Sequence, residues 1–344
     1  MNHCDHNYWT DRCPVGDHGP VNTDPTFADV LRAAEAVRAE LPATPLQAHP
    51  LLDGAVGAEV LVKHEHVLPT GSFKVRGGVH LASTLNAVER RRGLITCSTG
   101  NHAQSVAYAA RLAGVDATVV MPASAPAVKR DAVAALGAHV VVSGTTLGEA
   151  AADARRRAGE SGASFVCPTD PRIVLGHATA YLELFGQARE TGADLALLVV
   201  PIGSGTGAAG ACLVRDELSP GTRVVGVQSA AAPAGWRSWR SGEIVEAAAT
   251  TRAAGLATTT GYPLPQRLLH GRLDDFVLVS DDDIDAAARL LAARAHTLAE
   301  GAGAASLAGL RAVLADGGAP SGPAAVVCTG ANASADEIAR LAAA

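Results

Sequence analysis

The chain has 344 residues, 48% hydrophobic and 18% charged, enough apolar chain for about two domains with a large core and too little charge for a disordered polymer. With 28 Lys+Arg against 34 Asp+Glu, a net charge of −6 and only 3% aromatics, a dedicated nucleic-acid binder is not expected. The opening MNHCDHNYWTDRC lacks the apolar core of a signal peptide and no stretch is apolar enough to span a bilayer, so no membrane partner and a cytoplasmic location are expected.

Residues 1–23 read as a flexible extension. Cys4 and Cys13, flanked by His3, His6 and His18, match no common zinc spacing, and no metal is expected. From there on, apolar β-branched runs alternate with Ala-rich helical patterns. The predicted strands, in chain order, are AEVLVKHE (58–65), GLITCST (93–99), ATVVMP (117–122), HVVVSG (139–144), SFVCP (164–168), LALLVVPIG (195–203), RVVGVQS (223–229), DFVLVS (275–280) and AAVVCTG (324–330). Between them HAQSVAYAARLAG, PAVKRDAVAALGA and TLGEAAADARRRAGE carry apolar residues at helical spacing and a Gly at or near the end. Continuous apolar strands indicate burial on both faces, hence mainly parallel α/β sheets covered by helices. Cys97, Cys167 and Cys328 sit in or just after such runs and read as buried free thiols. The arginine runs 90–92 and 155–157 read as solvated helix faces.

Four segments carry chemistry. Lys74, one of three lysines with Lys63 and Lys129, lies in Pro69-Thr70-Gly71-Ser72-Phe73-Lys74-Val75-Arg76-Gly77-Gly78. A turn followed by a helical start sets the amine at a helix N-terminus, where the dipole and burial favour its neutral, nucleophilic form. Cys97-Ser98-Thr99-Gly100-Asn101-His102 stands where a strand gives way to a helix. Its backbone N–H groups suit a carboxylate, or Ser98 and Thr99 simply cap the helix. Gly203-Ser204-Gly205-Thr206-Gly207 follows an apolar run and lets the backbone close around a phosphate. The same stretch fits the G-x-G-x-x-G dinucleotide fingerprint, yet the next strand ends in Gln228-Ser229, without the acid that a ribose contact needs. Thr329 ends an apolar strand and places a hydroxyl at the carboxyl edge of the sheet. Amine, carboxylate nest, phosphate cradle and hydroxyl together suit pyridoxal phosphate with an amino acid attached. His64-Glu65-His66 precede the lysine motif and receive no role.

On these motifs, together with Thr44-Pro45-Leu46, Met121-Pro122, Lys129, Gly137-Ala138, Asp274-Asp275, Glu300-Gly301 and Thr329-Gly330-Ala331-Asn332, the chain from about residue 24 resembles the fold-type II pyridoxal-phosphate enzymes. Within them it resembles the serine/threonine dehydratase group, which includes serine racemases. The resemblance implies two open, twisted, mainly parallel sheets in a tryptophan synthase β-like fold. Residues 24–92 and 169–344 would form a large cofactor domain and 93–168 a small mobile one. It implies that Lys74 holds the cofactor as a Schiff base and serves as base on one face. Thr99 stands where the racemases carry their second-face serine, which argues against racemisation. Ser98, Thr99, Gly100, Asn101 and His102 would grip the substrate carboxylate, with Asn101 also near the cofactor ring. Gly203, Ser204, Gly205, Thr206 and Gly207 would hold the phosphate, Phe73 would pack against the cofactor, and Thr329 would face the pyridine nitrogen. The segment Gly226–Ala232 lacks the acidic metal ligands of some members, and a C-terminal regulatory domain has no room after Asn332. The expected protein is a homodimeric lyase removing the β-hydroxyl of a threonine- or serine-like amino acid to give a 2-oxo acid and ammonium. β-Replacement is the alternative, racemisation a weaker one, and an NAD-dependent oxidoreductase the reading from a different class.

Overall fold

Each of the nine apolar runs becomes a strand, and one more, too short to show a pattern, precedes them in the computed structural model, which describes residues 24–318 and 320–343. The strands among the described residues are β1 (Leu46–Ala48), β2 (Val60–His64), β3 (Leu94–Cys97), β4 (Ala117–Met121), β5 (His139–Val142), β6 (Ser164–Phe165), β7 (Leu197–Pro201), β8 (Arg223–Ser229), β9 (Asp275–Val279) and β10 (Ala324–Cys328). They form a six-stranded sheet in the order β1-β2-β10-β7-β8-β9 and a four-stranded sheet in the order β5-β4-β3-β6. All pairings are parallel except β1 with β2, where Leu46 opposes Lys63. The four-stranded sheet is made entirely from the segment between Leu94 and Phe165.

The absence of polar alternation in the strands has a direct cause in packing. On one face of the six-stranded sheet Val62, Val199, Val227 and Val326 meet Ala304, Leu307 and Leu310 of the helix Gly301–Ala315. On the other, Leu61, Leu198, Val200, Ala325 and Val327 meet Tyr181 and Leu184 of the helix Pro171–Glu190 and Ala208 of the helix Thr206–Leu218. Neighbours along one strand thus enter different cores, so both must be apolar. Small residues let the helices approach: a Cβ added to Gly309 would lie 2.8 Å from Val227 Cβ.

The helix Leu147–Ser161 runs past Gly159, where the sequence pattern suggests an end, and stops at Gly162, whose φ of 71° is left-handed. Cys97, Cys212 and Cys328 are free and buried. Cys167 departs from the free-thiol expectation and is disulfide-bonded. It is buried like them but lies in the loop beyond β6, whereas Cys97 and Cys328 end strands. The Cys4/Cys13 extension lies outside the described residues. Among the described residues no helix is long and apolar enough to cross a membrane.

Candidate active site

The segments singled out by sequence meet where parallel strands end. Phe73, Lys74, Asn101, Gly203, Ser204, Gly205, Thr206, Gly207 and Thr329 line one cavity, completed by Pro201, Gly255, Leu256, Glu300 and Ala302. Larger depressions, one bounded by Glu59, Asp194 and Arg223, open at the strands' amino ends, opposite the edge at which open α/β sheets bind ligands.

Lys74 is the first residue of the helix Lys74–Ser83. The turn before it is tied to the end of β10: Phe73 N–H donates to Thr329 O at 2.9 Å and Ala331 N–H to Gly71 O at 3.0 Å. The amine therefore projects over the carboxyl edge of the sheet. Its Nζ lies 3.4 Å from Thr206 Oγ1 and 4.9 Å from the Phe73 ring centroid. Burial among these groups pulls the amine down to about 8. Although the side chain keeps part of its surface towards the cavity, protein encloses its charged end.

Arg76, one helical half-turn on, points away from the cavity and is fully buried. Its guanidinium meets Glu65 at 2.6 and 2.9 Å and Glu183 at 2.7 Å through each of two nitrogens. Lys63 joins Glu183 at 3.1 Å, so an ionic network anchors the base of the lysine helix. This gives Glu65 a structural place. His64, its neighbour, lies 3.1 Å from His49 through the two Nε2 atoms, and burial pulls it down to about 4. No group of three potential metal ligands forms among the described residues.

Gly205, at φ 88°, caps the helix Thr206–Leu218. The first intrahelical bond is Ala209 N–H to Gly205 O at 2.9 Å, leaving the Thr206, Gly207 and Ala208 amides outside the ladder, a ready anion site. The glycines are required by space. A Cβ at Gly203 would lie 2.3 Å from Gly255 O, at Gly205 2.8 Å from Pro265 Cβ, and at Gly207 3.2 Å from Tyr181 Oη. Thr329, 5% exposed, donates Oγ1–H to Ala302 O at 3.2 Å.

Ser98, Thr99, Gly100 and His102 are not among the residues lining this cavity. Ser98 Oγ accepts the Gly100 N–H at 3.2 Å. The helix Asn101–Ala113 begins its ladder at Ala103 N–H to Gly100 O, so the Asn101 and His102 amides are left over. The His102 ring turns inward, its Nε2 lying 3.2 Å from Thr96 Oγ1 and 3.3 Å from Val166 O, and burial pulls it down to about 4. Asn101 turns to the cavity and donates to Glu300 Oε1 at 2.6 Å, while Asn332 Nδ2 donates to Asn101 Oδ1 at 2.8 Å. Burial raises the Glu300 carboxyl above its ordinary value.

Glu300 and Asn332, though marked by the Glu300-Gly301 and Thr329–Asn332 motifs, receive no role from sequence, and His177, Gly255 and Leu256 are not singled out there at all. His177 lies inside a long apolar helix and carries no local signal. A buried carboxyl preceding a Gly-Ala-Gly helix start was the one readable hint.

The cavity fits pyridoxal phosphate on structural grounds: a buried amine of lowered basicity faces a helix N-terminus with spare amides, approached by a loop whose three glycines leave no room for a Cβ. The architecture and cavity define a two-sheet α/β enzyme of the pyridoxal-phosphate type. The pyridoxal-phosphate dependent enzyme family matches residues 37–330, and the chain belongs to it. It is 35% identical over 286 residues to the L-threonine ammonia-lyase of Thermotoga maritima, covering 82% of this chain and 70% of that one. It is 34% identical over 278 residues to the L-threo-3-hydroxyaspartate ammonia-lyase of Saccharomyces cerevisiae, covering 80% and 84%. The crystal structure of the threonine deaminase of T.th. superposes with a TM-score of 0.84 at 37% identity, covering 90% of this chain and 99% of that one.

Proposed function

We propose that this protein is an ammonia-lyase that removes the β-hydroxyl group of a threonine- or serine-like amino acid, releasing a 2-oxo acid and ammonium. The observation that carries the reading is the convergence of the Lys74 amine, the Gly203–Gly207 cradle and Thr329 on one cavity.

Pyridoxal phosphate, when bound, supplies an aldehyde for an amine and a ring that draws electrons from the substrate's α-carbon. The chain's own groups do the rest. With its amine near 8, Lys74 is partly uncharged at neutral pH, so it would be the residue that holds the cofactor's aldehyde and the group that accepts and returns a proton at Nζ. The amides of Thr206, Gly207 and Ala208 hold a phosphate group at the positive end of their helix. Asn101, braced by Glu300 and Asn332, supports the ring, and Thr329 offers it an uncharged hydroxyl instead of a carboxylate. Ser98, Thr99 and Gly100, with the spare amides of Asn101 and His102, receive the substrate carboxylate. An uncharged partner such as Thr329 would leave the ring a weaker electron sink than a carboxylate partner would, which supports elimination of the β-hydroxyl over racemisation. In the same reading segment 93–168 is the mobile part, and the enzyme is a cytoplasmic homodimer.

A panel of β-hydroxy and β-substituted amino acids, assayed for 2-oxo acid and ammonium release, tests the reading. Oxo acid from threonine or serine supports it; turnover only with an added second nucleophile would establish β-replacement instead.

A further inference from the structure

His177 is fully buried in the helix Pro171–Glu190 and belongs to none of the groups assigned above. Its Nδ1 lies 3.0 Å from Thr206 Oγ1, and that hydroxyl lies 3.4 Å from Lys74 Nζ. Its ring stacks, tilted by 41°, on Phe73 at 4.5 Å. Its Nε2 has no hydrogen-bond partner and faces Gly77, where an added Cβ would come within 2.8 Å. The Lys74 carbonyl, which accepts Ser105 Oγ–H at 2.6 Å, is near enough to act on the imidazole but lies outside hydrogen-bond geometry to Nε2.

An N–H stranded in a dry site costs more than a bare ring nitrogen. The hydrogen therefore sits on Nδ1, and Nδ1–H donates to Thr206 Oγ1. Thr206 must then send its own hydrogen elsewhere: to Ser204 Oγ, 3.5 Å away at the limit of a hydrogen bond, or to the lone pair of an uncharged Lys74 amine at 3.4 Å. A hydrogen bond that only the uncharged amine can accept favours that form. We propose that His177 is a positioning residue, which through Thr206 aims a hydroxyl hydrogen at Lys74 and thereby supports its free-amine form. Burial beside Lys74, His102 and Arg76 holds the imidazole neutral, so it orients Thr206 and takes up no proton itself. The other titratable groups at this place are Tyr181 behind Gly207 and Glu300 across the cavity.

The consequence for turnover rests on the lyase reading, but the test does not. The chain has only three lysines, so the full chain labelled with 13C at the lysine ε-carbon gives three signals, and the pH titration of each can be followed before cofactor is added. Lys74 should titrate near 8. His177→Leu and Thr206→Val should each raise that midpoint by about one pH unit, and their combination should raise it no further. His177→Gln, which keeps a donor, should stay close to the parent. The sign decides, because added apolar surface alone would lower the midpoint. An unchanged or lowered midpoint in Thr206→Val would overturn the proposal, as would equal shifts in His177→Gln and His177→Leu. Should His177→Leu not fold, which the signal of buried Lys63 reports, Thr206→Val against His177→Gln decides alone. In the loaded enzyme the alkaline-going limb of the kcat profile should move up in pH with the same variants. A parent Lys74 midpoint near 10.5, the ordinary lysine value, would remove the lyase assignment of Lys74 itself, a different failure.

Discussion

The Asn101 side-chain amide donates to Glu300 Oε1 across 2.6 Å, joining residues 199 positions apart in the chain. One follows the four-stranded sheet's β3 and the other precedes the helix that fills the core of the six-stranded sheet. Replacing the carboxyl strands the amide. Glu300→Leu should cost about 1–3 kcal/mol and weaken cofactor binding, whereas Glu300→Gln keeps a carbonyl acceptor and most of both. Urea midpoints and cofactor titration of the two variants measure the difference.

Lys74 is held at an energetic disadvantage by burial in the cofactor-free chain. Its charged form is penalised in the folded chain, fully below about 8 and not at all above the ordinary 10.5. Lys74→Met should therefore stabilise the cofactor-free chain at pH 7, by about 1–3 kcal/mol after discounting for its partial exposure. The gain should shrink as pH rises from 8 towards 10.5, while activity is abolished. Thermal unfolding at pH 7 and pH 10 checks the sign.

The network around Arg76 is buried and paired, so its loss leaves Glu65 without a cationic partner and Glu183 with Lys63 alone. Arg76→Met should destabilise by about 3–5 kcal/mol, chiefly because buried Glu65 loses its only cationic partner among the described residues. Combining it with Glu65→Gln and Glu183→Gln should recover part of the loss in denaturant titrations.

Gly203 faces a carbonyl oxygen that cannot retreat without moving the 254–256 turn. Gly203→Ala, whose Cβ would lie 2.3 Å from Gly255 O, should weaken cofactor binding by at least about tenfold. Fluorescence titration with pyridoxal phosphate reads this directly, and an unchanged affinity would mean that the loop does not enclose the phosphate.

In the proposed reading Thr329 faces the ring nitrogen, so Thr329→Asp would set a carboxylate there and raise that nitrogen's basicity. Long-wavelength absorbance and exchange of the α-proton in deuterated water should increase relative to oxo-acid release. Should spectrum and ratio stay unchanged, the hydroxyl does not face the nitrogen.

Much of this architecture was legible locally. Val–Leu–Ile runs long enough to be buried on both faces announce parallel strands, and each of the nine read this way forms. β1 was not legible, because its three residues, half-buried Leu46 and exposed Gln47 and Ala48, owe their strand to the β2 edge beside them. The lysine turn, the glycine cradle and the strand-terminal Thr329 were readable because each needs a particular backbone in its own neighbourhood: a turn, a close approach, a strand end. What tertiary structure alone decided were matters of side-chain direction. Asn101 and His102 are adjacent in sequence, yet one faces Glu300 and the other Thr96, since successive residues on a helix point about 100° apart. His177 reaches Thr206 only because the helices Pro171–Glu190 and Thr206–Leu218 pack closely, Gly210 against Ala178. Backbone requirements are local and leave their mark on residue type; contacts between distant segments are set by packing, and no short stretch of sequence contains them.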